Sequence, residues 1–363
     1  MRNQGRQKVT MDDIARDTGL SAMTVSRALR ESQSVSAATR EKVLEATQRL
    51  GYHVDFIARQ LRAKHAFQLG VVVSFRGYVG HYYFGQIVQG MQQVLAGTHY
   101  HISLFDLESE DFNDPLKCVN LCHQRRVGGL VIVGPGQKER FPKILADLAM
   151  PLIVVGSSLG RQAISYVAVD NISGARAMTE HLLDLGHRRI GFIQGWREGR
   201  DSAQREQAFR KTLAAHKVPV MEQWIGPGEY ETRKAHHLAM EWLSRPAPPT
   251  AIFAANDLMA YGVIDAARSL GLRVPEDLSV AGFDDLGSSA DFVPALTTVA
   301  QPMASLGTVA ARYLLDVLQT NGPAAVLHQK LPTQLQVRSS TAPPGKSAVA
   351  GASKPKRRTS RRA

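Results

Sequence analysis

The sequence predicts an α/β protein: a small helix-turn-helix unit followed by a large body of two doubly wound parallel sheets. Three observations predict it. The first fifty residues hold three short helical patterns separated by tight turns. From Gln68 onward, short apolar runs alternate with helical stretches of ten to twenty residues. Charge is divided unevenly: residues 1–65 carry 12 Lys/Arg against 7 Asp/Glu and residues 341–363 carry 7 against none, while 66–340 is balanced at 25 of each. A basic end piece on a neutral body suggests a polyanion partner, nucleic acid first, although a solvated basic surface has the same composition.

Taken in order, Thr10 is placed to cap the first helix with Asp13 in the capping-box position, and Ile14 and Ala15 supply its apolar contacts. Gly19 breaks the chain and Ser21 caps a second helix. Ser36 caps a third, in which Val43, Leu44, Ala46 and Leu50 recur at helical spacing before Gly51 stops it. Two short helices joined by a glycine-containing turn, with a third closing the core, make a helix-turn-helix. Residues 55–64 allow one further short helix.

In the body, "LGVVVS", "HISLFDL", "GGLVIVG", "PLIVVG", "RIGFIQG", "AIFAAND" and "LSVAGFDD" are apolar runs ending in Gly, Ser, Asp or Asn. Continuous apolar strands alternating with helices indicate parallel sheets covered on both faces. About 270 residues of this pattern exceed one sheet, so two are expected. Ligands in such folds sit beyond the carboxyl ends of strands, which makes the polar residues finishing these strands the candidates for a site. Residues 341–363, rich in Pro, Gly, Ser and Arg, cannot bury a core and are expected to be a disordered basic tail.

Several classes are disfavoured. No run approaches the ~18–20 apolar residues of a membrane span, and MRNQGRQKVT lacks the apolar core of a secretory signal. With Cys118 and Cys122 the only cysteines, no disulfide framework is expected, which suits the cytoplasm. No cofactor is expected: VGPGQKER has Gly134 and Gly136 but no third glycine, and neither a Walker A sequence nor G-x-S-x-G occurs. Cys118, Cys122 and His123, and separately His236, His237 and Glu241, match no standard metal spacing, so no metal is expected.

The second helix, "SAMTVSRALR", carries an apolar stripe of Val25, Ala28 and Leu29, with Ala22 near it. Its other side offers Met23, Thr24, Ser26, Arg27 and Arg30, with no acid before Glu31. Arginine can hold guanine or phosphate, hydroxyls reach either, and a thioether contacts thymine methyls, so the face suits a major groove. A solvated face is the alternative.

Residues 9–52, "VTMDDIARDTGLSAMTVSRALRESQSVSAATREKVLEATQRLGY", resemble without a gap the DNA-binding headpiece of the lactose-repressor (LacI/GalR) family of bacterial transcription regulators. "LGHRRIGFI", "PTAIFAANDLMAYGVIDAARSLGLRVPEDLSVAGFDD" and "PALTTVAQPMASLG" are similar to that family's periplasmic-binding-protein-like core, so the resemblance spans residues 8 to about 340. It implies a helix-turn-helix domain at 8–54, a hinge helix at 55–65 and an effector-binding core at 66–340. Within the core, subdomain 1 would be about 66–167 and 299–324, and subdomain 2 about 168–298 and 325–340.

The resemblance also implies roles. Ser21 begins the recognition helix, Ala22 and Met23 choose the operator sequence, and Arg27 reaches a base. Thr24, Ser26, Ser36, Thr39 and Tyr52 hold phosphates, while Leu61 of the hinge wedges into the minor groove beside Arg62. Val54-Asp55 departs from the family's usual Pro-Asn. In the core, Arg205 would grip the effector, with Asn256, Asp257 and Asp284 bonding its polar groups, Tyr83, Phe84 and Tyr230 as aromatic walls, and Ser74 adding a strand-end contact. Such a set fits a polyhydroxylated sugar, sugar acid or related metabolite; strand-end capping is the plainer reading of the same residues. Gly156 stands where relatives often carry an acidic contact.

The function these readings imply is a non-enzymatic transcription regulator, a repressor of a catabolic operon. It would bind near-palindromic double-stranded operator DNA as a homodimer under control of a carbohydrate-like effector, with no membrane partner. An α/β enzyme, an exported sugar-binding protein and an architectural DNA-coating protein are the alternatives. They would require, respectively, a nucleophile–base pair, a signal peptide, and a reason for the neutral body.

Overall fold

The computed structural model describes residues 9–29, 34–52, 66–73, 82–106, 120–121, 123–124, 126–134, 151–157, 164–197, 199–320 and 325–345. They fall into two compact units, divided at Ala66.

The first unit holds α1 (Met11–Thr18), α2 (Ala22–Ala28) and α3 (Ala37–Leu50). Local chemistry sets each end. Thr10 Oγ1 accepts from the Asp13 amide at 3.4 Å while Asp13 accepts from the Thr10 amide at 2.9 Å, closing the capping box. Ser21 and Ser36 cap α2 and α3, and Gly19 and Gly51 end α1 and α3 at φ 67° and 68°, a left-handed conformation that glycine adopts without strain. Ile14, Val25, Ala28, Val43 and Ala46 form the small core, with Leu29, Leu50 and Tyr52 packed on it. Leu44 differs from its expected place: it is 47% exposed, because three short helices bury only a narrow stripe of α3. Ala22 likewise faces outward, off the apolar stripe.

The second unit contains two parallel sheets. The first joins β1 (Gln68–Val73), β2 (His101–Asp106), β3 (Gly129–Val133), β4 (Leu152–Val155), β5 (Ser165–Val169) and β11 (His328–Leu331), in the order β11-β5-β4-β3-β1-β2. The second joins β6 (Ile190–Gln194), β7 (Ile225–Pro227), β8 (Ala251–Ala254) and β9 (Ser279–Ala281), in the order β7-β6-β8-β9. A short antiparallel pair, β10 (Thr298–Ala300) with β12 (Gln334–Gln336), belongs to the segments that run between them.

Helices α4 (Tyr82–Leu95) and α9 (Met303–Thr320) pack together over the first sheet. They cross backbone to backbone at Gly90 and Gly307, where a Cβ would fall 1.8 Å from Ala304 O and 1.9 Å from Ile87 O. Helices α5 (Asn171–Asp184) with α6 (Arg200–Ala215), and α7 (Thr232–Leu243) with α8 (Asp257–Ser269), pack as pairs around the second.

Two expected boundaries move. β5 stays in the first sheet through Val169, and β11 pairs with β5 from His328↔Tyr166 to Leu331↔Val169, so 325–331 belong to the first subdomain, not the second. The tail also starts later than residue 341. Ala342 donates to Ser279 Oγ at 3.0 Å, and Thr341 Oγ1 lies 3.0 Å from His181 Nε2, which holds the chain onto the second sheet past its expected end.

His187, buried ahead of β6, ties this segment down. Its Nε2 reaches the Ala342 carbonyl at 2.9 Å and Ser279 Oγ at 3.1 Å, and its Nδ1 reaches Thr250 Oγ1 at 2.9 Å. One imidazole thus links the starts of β6, β8 and β9 to the C-terminal strand. Burial pushes its pKa down to about 4 from 6.5. The unfolded chain therefore binds this proton across pH 4–6.5 and the folded chain does not. Stability is full above the upper value and lost as pH falls toward the lower one, by up to about 3 kcal/mol. We expect His187→Gln to be less stable than wild type at pH 7. Denaturant titrations on both proteins should find that the gap narrows steadily toward pH 4.5; a constant gap would refute the neutral buried imidazole.

Candidate DNA-reading face and effector cleft

In the first unit, α2 buries Val25 and Ala28 and turns Ala22, Met23 and Arg27 outward, Met23 being 64% exposed. A thioether that exposed gains nothing from the fold. Ser21 Oγ accepts from the Thr24 amide at 3.1 Å and lies 2.8 Å from Thr24 Oγ1. Ser36 and Thr39 repeat the device at 3.2 and 2.8 Å. Both hydroxyl pairs sit at the surface, and neither α2 nor α3 has an acid in its first turn, so nothing negative opposes a phosphate there. Ser26 and Tyr52 are half-buried, and the Tyr52 ring packs on the small core. Leu61 and Arg62, with the hinge and Asp55, lie outside the described residues, as do Ser74, Cys118 and Cys122. Among the described residues no metal-binding group occurs and no helix is long and apolar enough to cross a membrane.

In the second unit, the strand ends of both sheets bring one group of side chains together. Arg205, on the buried face of α6 and only 3% exposed, is fixed on several sides. Nε donates to Asn171 Oδ1 at 2.9 Å, Nη1 donates to the Ala255 carbonyl at 2.5 Å, and the guanidinium lies 3.8 Å over the Phe283 ring. Asp284 Oδ1 stands 3.9 Å from Nη1 and accepts from Gln301 Nε2. Asp284 holds φ 139°, a left-handed backbone rarely used by a non-glycine residue, which puts its carboxyl on the arginine side. Burial raises its pKa well above the usual range, partly offset by Arg205.

Tyr230, also left-handed at φ 61°, donates to Asp201 Oδ2 at 2.8 Å and meets Trp196 edge-on at 5.2 Å. Gly195 makes room for it: a Cβ there would fall 2.1 Å from Tyr230 Cζ. From the first sheet's side, Tyr83 of α4 comes within electrostatic reach of Asp201, Arg205 and Asp284, and burial raises its phenol pKa, so it remains a donor. Tyr83 also explains Gly156, which has φ +86° and whose Cβ would lie 2.7 Å from the Tyr83 hydroxyl. An acidic side chain there would displace the tyrosine.

The structure therefore brings Arg205, Asp284, Tyr83 and Tyr230 to one place and sends three expected residues elsewhere. Phe84 is 4% exposed within the core of the first sheet, because neighbours on a helix point about 100° apart. Asn256 caps α8, its Oδ1 accepting from the Met259 amide at 2.9 Å. Asp257 is 0% exposed; Oδ1 accepts from Thr298 Oγ1 at 2.5 Å, and Oδ2 from the Leu286 amide at 3.0 Å and Ser289 Oγ at 2.6 Å. Its role is to brace the loop that carries Asp284. Sequence reasoning missed Asp201, Asn171, Phe283 and Gln301. Only Asp201 had a signal, four residues before Arg205 on one helix face.

Comparison with known proteins agrees with both halves. Residues 10–55 match the family described as bacterial regulatory proteins, lacI family, and residues 179–341 match the periplasmic binding protein-like domain. Catabolite control protein A of Priestia megaterium is 30% identical over 92% of this chain and 99% of its own. A lac repressor dimer bound to operator and the anti-inducer ONPF superposes with a TM-score of 0.81 at 29% identity, covering 93% of this chain and all of that one. A complex of the transcriptional regulator CelR with cellobiose gives 0.69 at 29% identity, covering 92% and 99%. On the sequence match over nearly its whole length, the chain belongs to the lacI family of bacterial regulatory proteins.

Proposed function

We propose that this DNA-binding transcription regulator acts in the cytoplasm as a homodimeric repressor of catabolic genes, released from or held on a near-palindromic operator by a polyhydroxylated effector bound between the two sheets. The observation that carries the reading is the convergence of Tyr83 from one sheet with Arg205, Asp284 and Tyr230 from the other. A ligand seated there touches both subdomains, so its binding free energy can bias their relative position and thereby the operator-bound state. The relatives' own ligands, operator DNA and cellobiose among them, support it.

On the DNA, Ala22 and Met23 meet bases, Arg27 holds a base edge, and Ser21, Thr24, Ser26, Ser36, Thr39 and Tyr52 position phosphates. Leu61 and Arg62 take the minor groove. Arg27→Ala is expected to weaken operator binding by about 1–3 kcal/mol while leaving binding to random duplex nearly unchanged. Ser36→Ala should weaken both alike. Fluorescence anisotropy at fixed salt on operator and scrambled duplexes separates the two, and equal losses for Arg27→Ala would sink its base-reading role. The effector half is tested by thermal unfolding against sugars, sugar acids, sugar phosphates and purines, since a ligand of the folded state raises the midpoint.

A further inference from the structure

The cleft described above also restricts the charge of what it takes. Around Arg205 the acidic groups within electrostatic reach are Asp201 and Asp284, and Tyr83 senses the same three side chains. The other carboxylates nearby are engaged. Asp257 is enclosed by three donors, and Asp285 accepts from Arg338 Nη2 at 2.7 Å. Arg205 has itself already committed Nε and Nη1 to protein acceptors. With Asp284 ionised the cluster carries one surplus negative charge, and with Asp284 protonated it is neutral; in neither state does positive charge remain for an anion.

The uncommitted polar atoms have the same preference. Gln301 Oε1, an acceptor, is buried beside Asp284 with no hydrogen-bond partner among the described residues. Asp201 Oδ2 takes one donor from Tyr230, which leaves acceptor capacity on that carboxylate. The site therefore offers carboxylate and amide oxygens to be met by donors, and aromatic groups at Tyr83, Tyr230 and Trp196 for an apolar ring face.

We infer that the cleft selects a neutral or amine-bearing polyol and rejects sugar acids and sugar phosphates, with Asp201 as the residue that sets this preference by accepting hydroxyl or amino hydrogens. The inference rests on the cleft being the effector site, and it narrows the ligand class within that reading. An anionic group placed here would meet the Asp201 carboxylate with no free cation to offset it. A vicinal diol or an ammonium would supply charge-assisted hydrogen bonds instead.

The test uses the full-length protein and matched ligand sets. Glucose, galactose, ribose and cellobiose are compared with the corresponding amino sugars, aldonic or uronic acids and phosphates, by thermal unfolding and then calorimetry on each hit. The expected result is that hits fall among neutral or amino members, with the acid or phosphate of the same skeleton at least about a hundredfold weaker. Asp201→Asn, which keeps an oxygen for Tyr230, should weaken a neutral hit about tenfold or more and an amino hit further, while narrowing the gap to the acid. A wild-type hit that is an acid or phosphate, with binding lost in Arg205→Ala, overturns this inference and leaves the effector cleft standing. A neutral hit unaffected by both Asp201→Asn and Arg205→Ala overturns the cleft assignment itself. If no member of any set binds, the carbohydrate reading fails and the charge rule goes with it.

Discussion

Arg205→Ala is expected to lower the stability of the ligand-free core and to abolish the midpoint shift produced by any effector. Both losses come from the same geometry. The guanidinium is buried, donates to Asn171 and to the Ala255 carbonyl, stacks on Phe283 and stands 3.9 Å from Asp284. Truncation leaves two acceptors unpaired and one buried carboxylate without its cation, a class of change that costs about 3–5 kcal/mol. Asp284 can relieve part of this by taking up a proton, since burial already raises its pKa and Arg205 is what lowers it. A folded-state pKa above the unfolded value gives stability that is present in acid and lost as pH rises. The deficit of the variant should therefore be smallest near pH 4 and grow toward neutrality. Denaturant titrations across that range, with and without ligand, check both statements. Arg205→Lys separates charge from shape: it restores a cation for Asp284 but not the fork or the stacked plane, so stability should recover more than ligand response. Full ligand response in Arg205→Lys would mean that the planar fork is not what the effector uses.

How much of this was readable in advance follows from how local each cause is. The caps at Thr10, Ser21 and Ser36 and the stops at Gly19 and Gly51 depend on side chains within three or four residues, so the sequence displays them. The buried strands show as apolar runs for the same reason. The partner of β5 is not local: it is β11, some 160 residues later, and nothing in "HQKL" announces a place beside Tyr166. β2 looked like a buried strand but is an edge, with Leu104 exposed, because edge position is a property of the sheet order. At the cleft, residue type alone could not separate Asn256 and Asp257, whose oxygens bond their own fold, from Asp284, which turns toward Arg205 through an unusual φ. A carboxylate at a strand end reads the same in all three jobs. Asn171 and Gln301, 34 positions before Arg205 and 17 beyond Asp284, reach the site only through tertiary packing.

Asp257 gives the sharpest contrast between the two readings of a strand-end acid. If it frames the site, Asp257→Ala should damage the protein before any ligand is added. Its two oxygens accept from Thr298 of β10, from Ser289 and from the Leu286 amide, and so tie α8 to the loop after β9 and to the strand that leads into α9. Removing them orphans three buried donors at about 1–3 kcal/mol each, less whatever water the space admits. A net loss of about 3–5 kcal/mol should lower the midpoint by roughly 6–10 °C for a core of this size. Ligand response should fall as well, since Asp284 and Asp285 hold left-handed backbone in the loop that Asp257 pins, and strain of that kind persists only while the surroundings enforce it. Asp257→Asn should be milder: one oxygen survives for a donor, while the amide nitrogen faces a second donor it cannot satisfy. The decisive comparison is unfolding without ligand. A variant as stable as wild type but blind to effector would make Asp257 a ligand contact; a variant that loses stability first, and effector response in proportion, makes it the brace on which Asp284 depends.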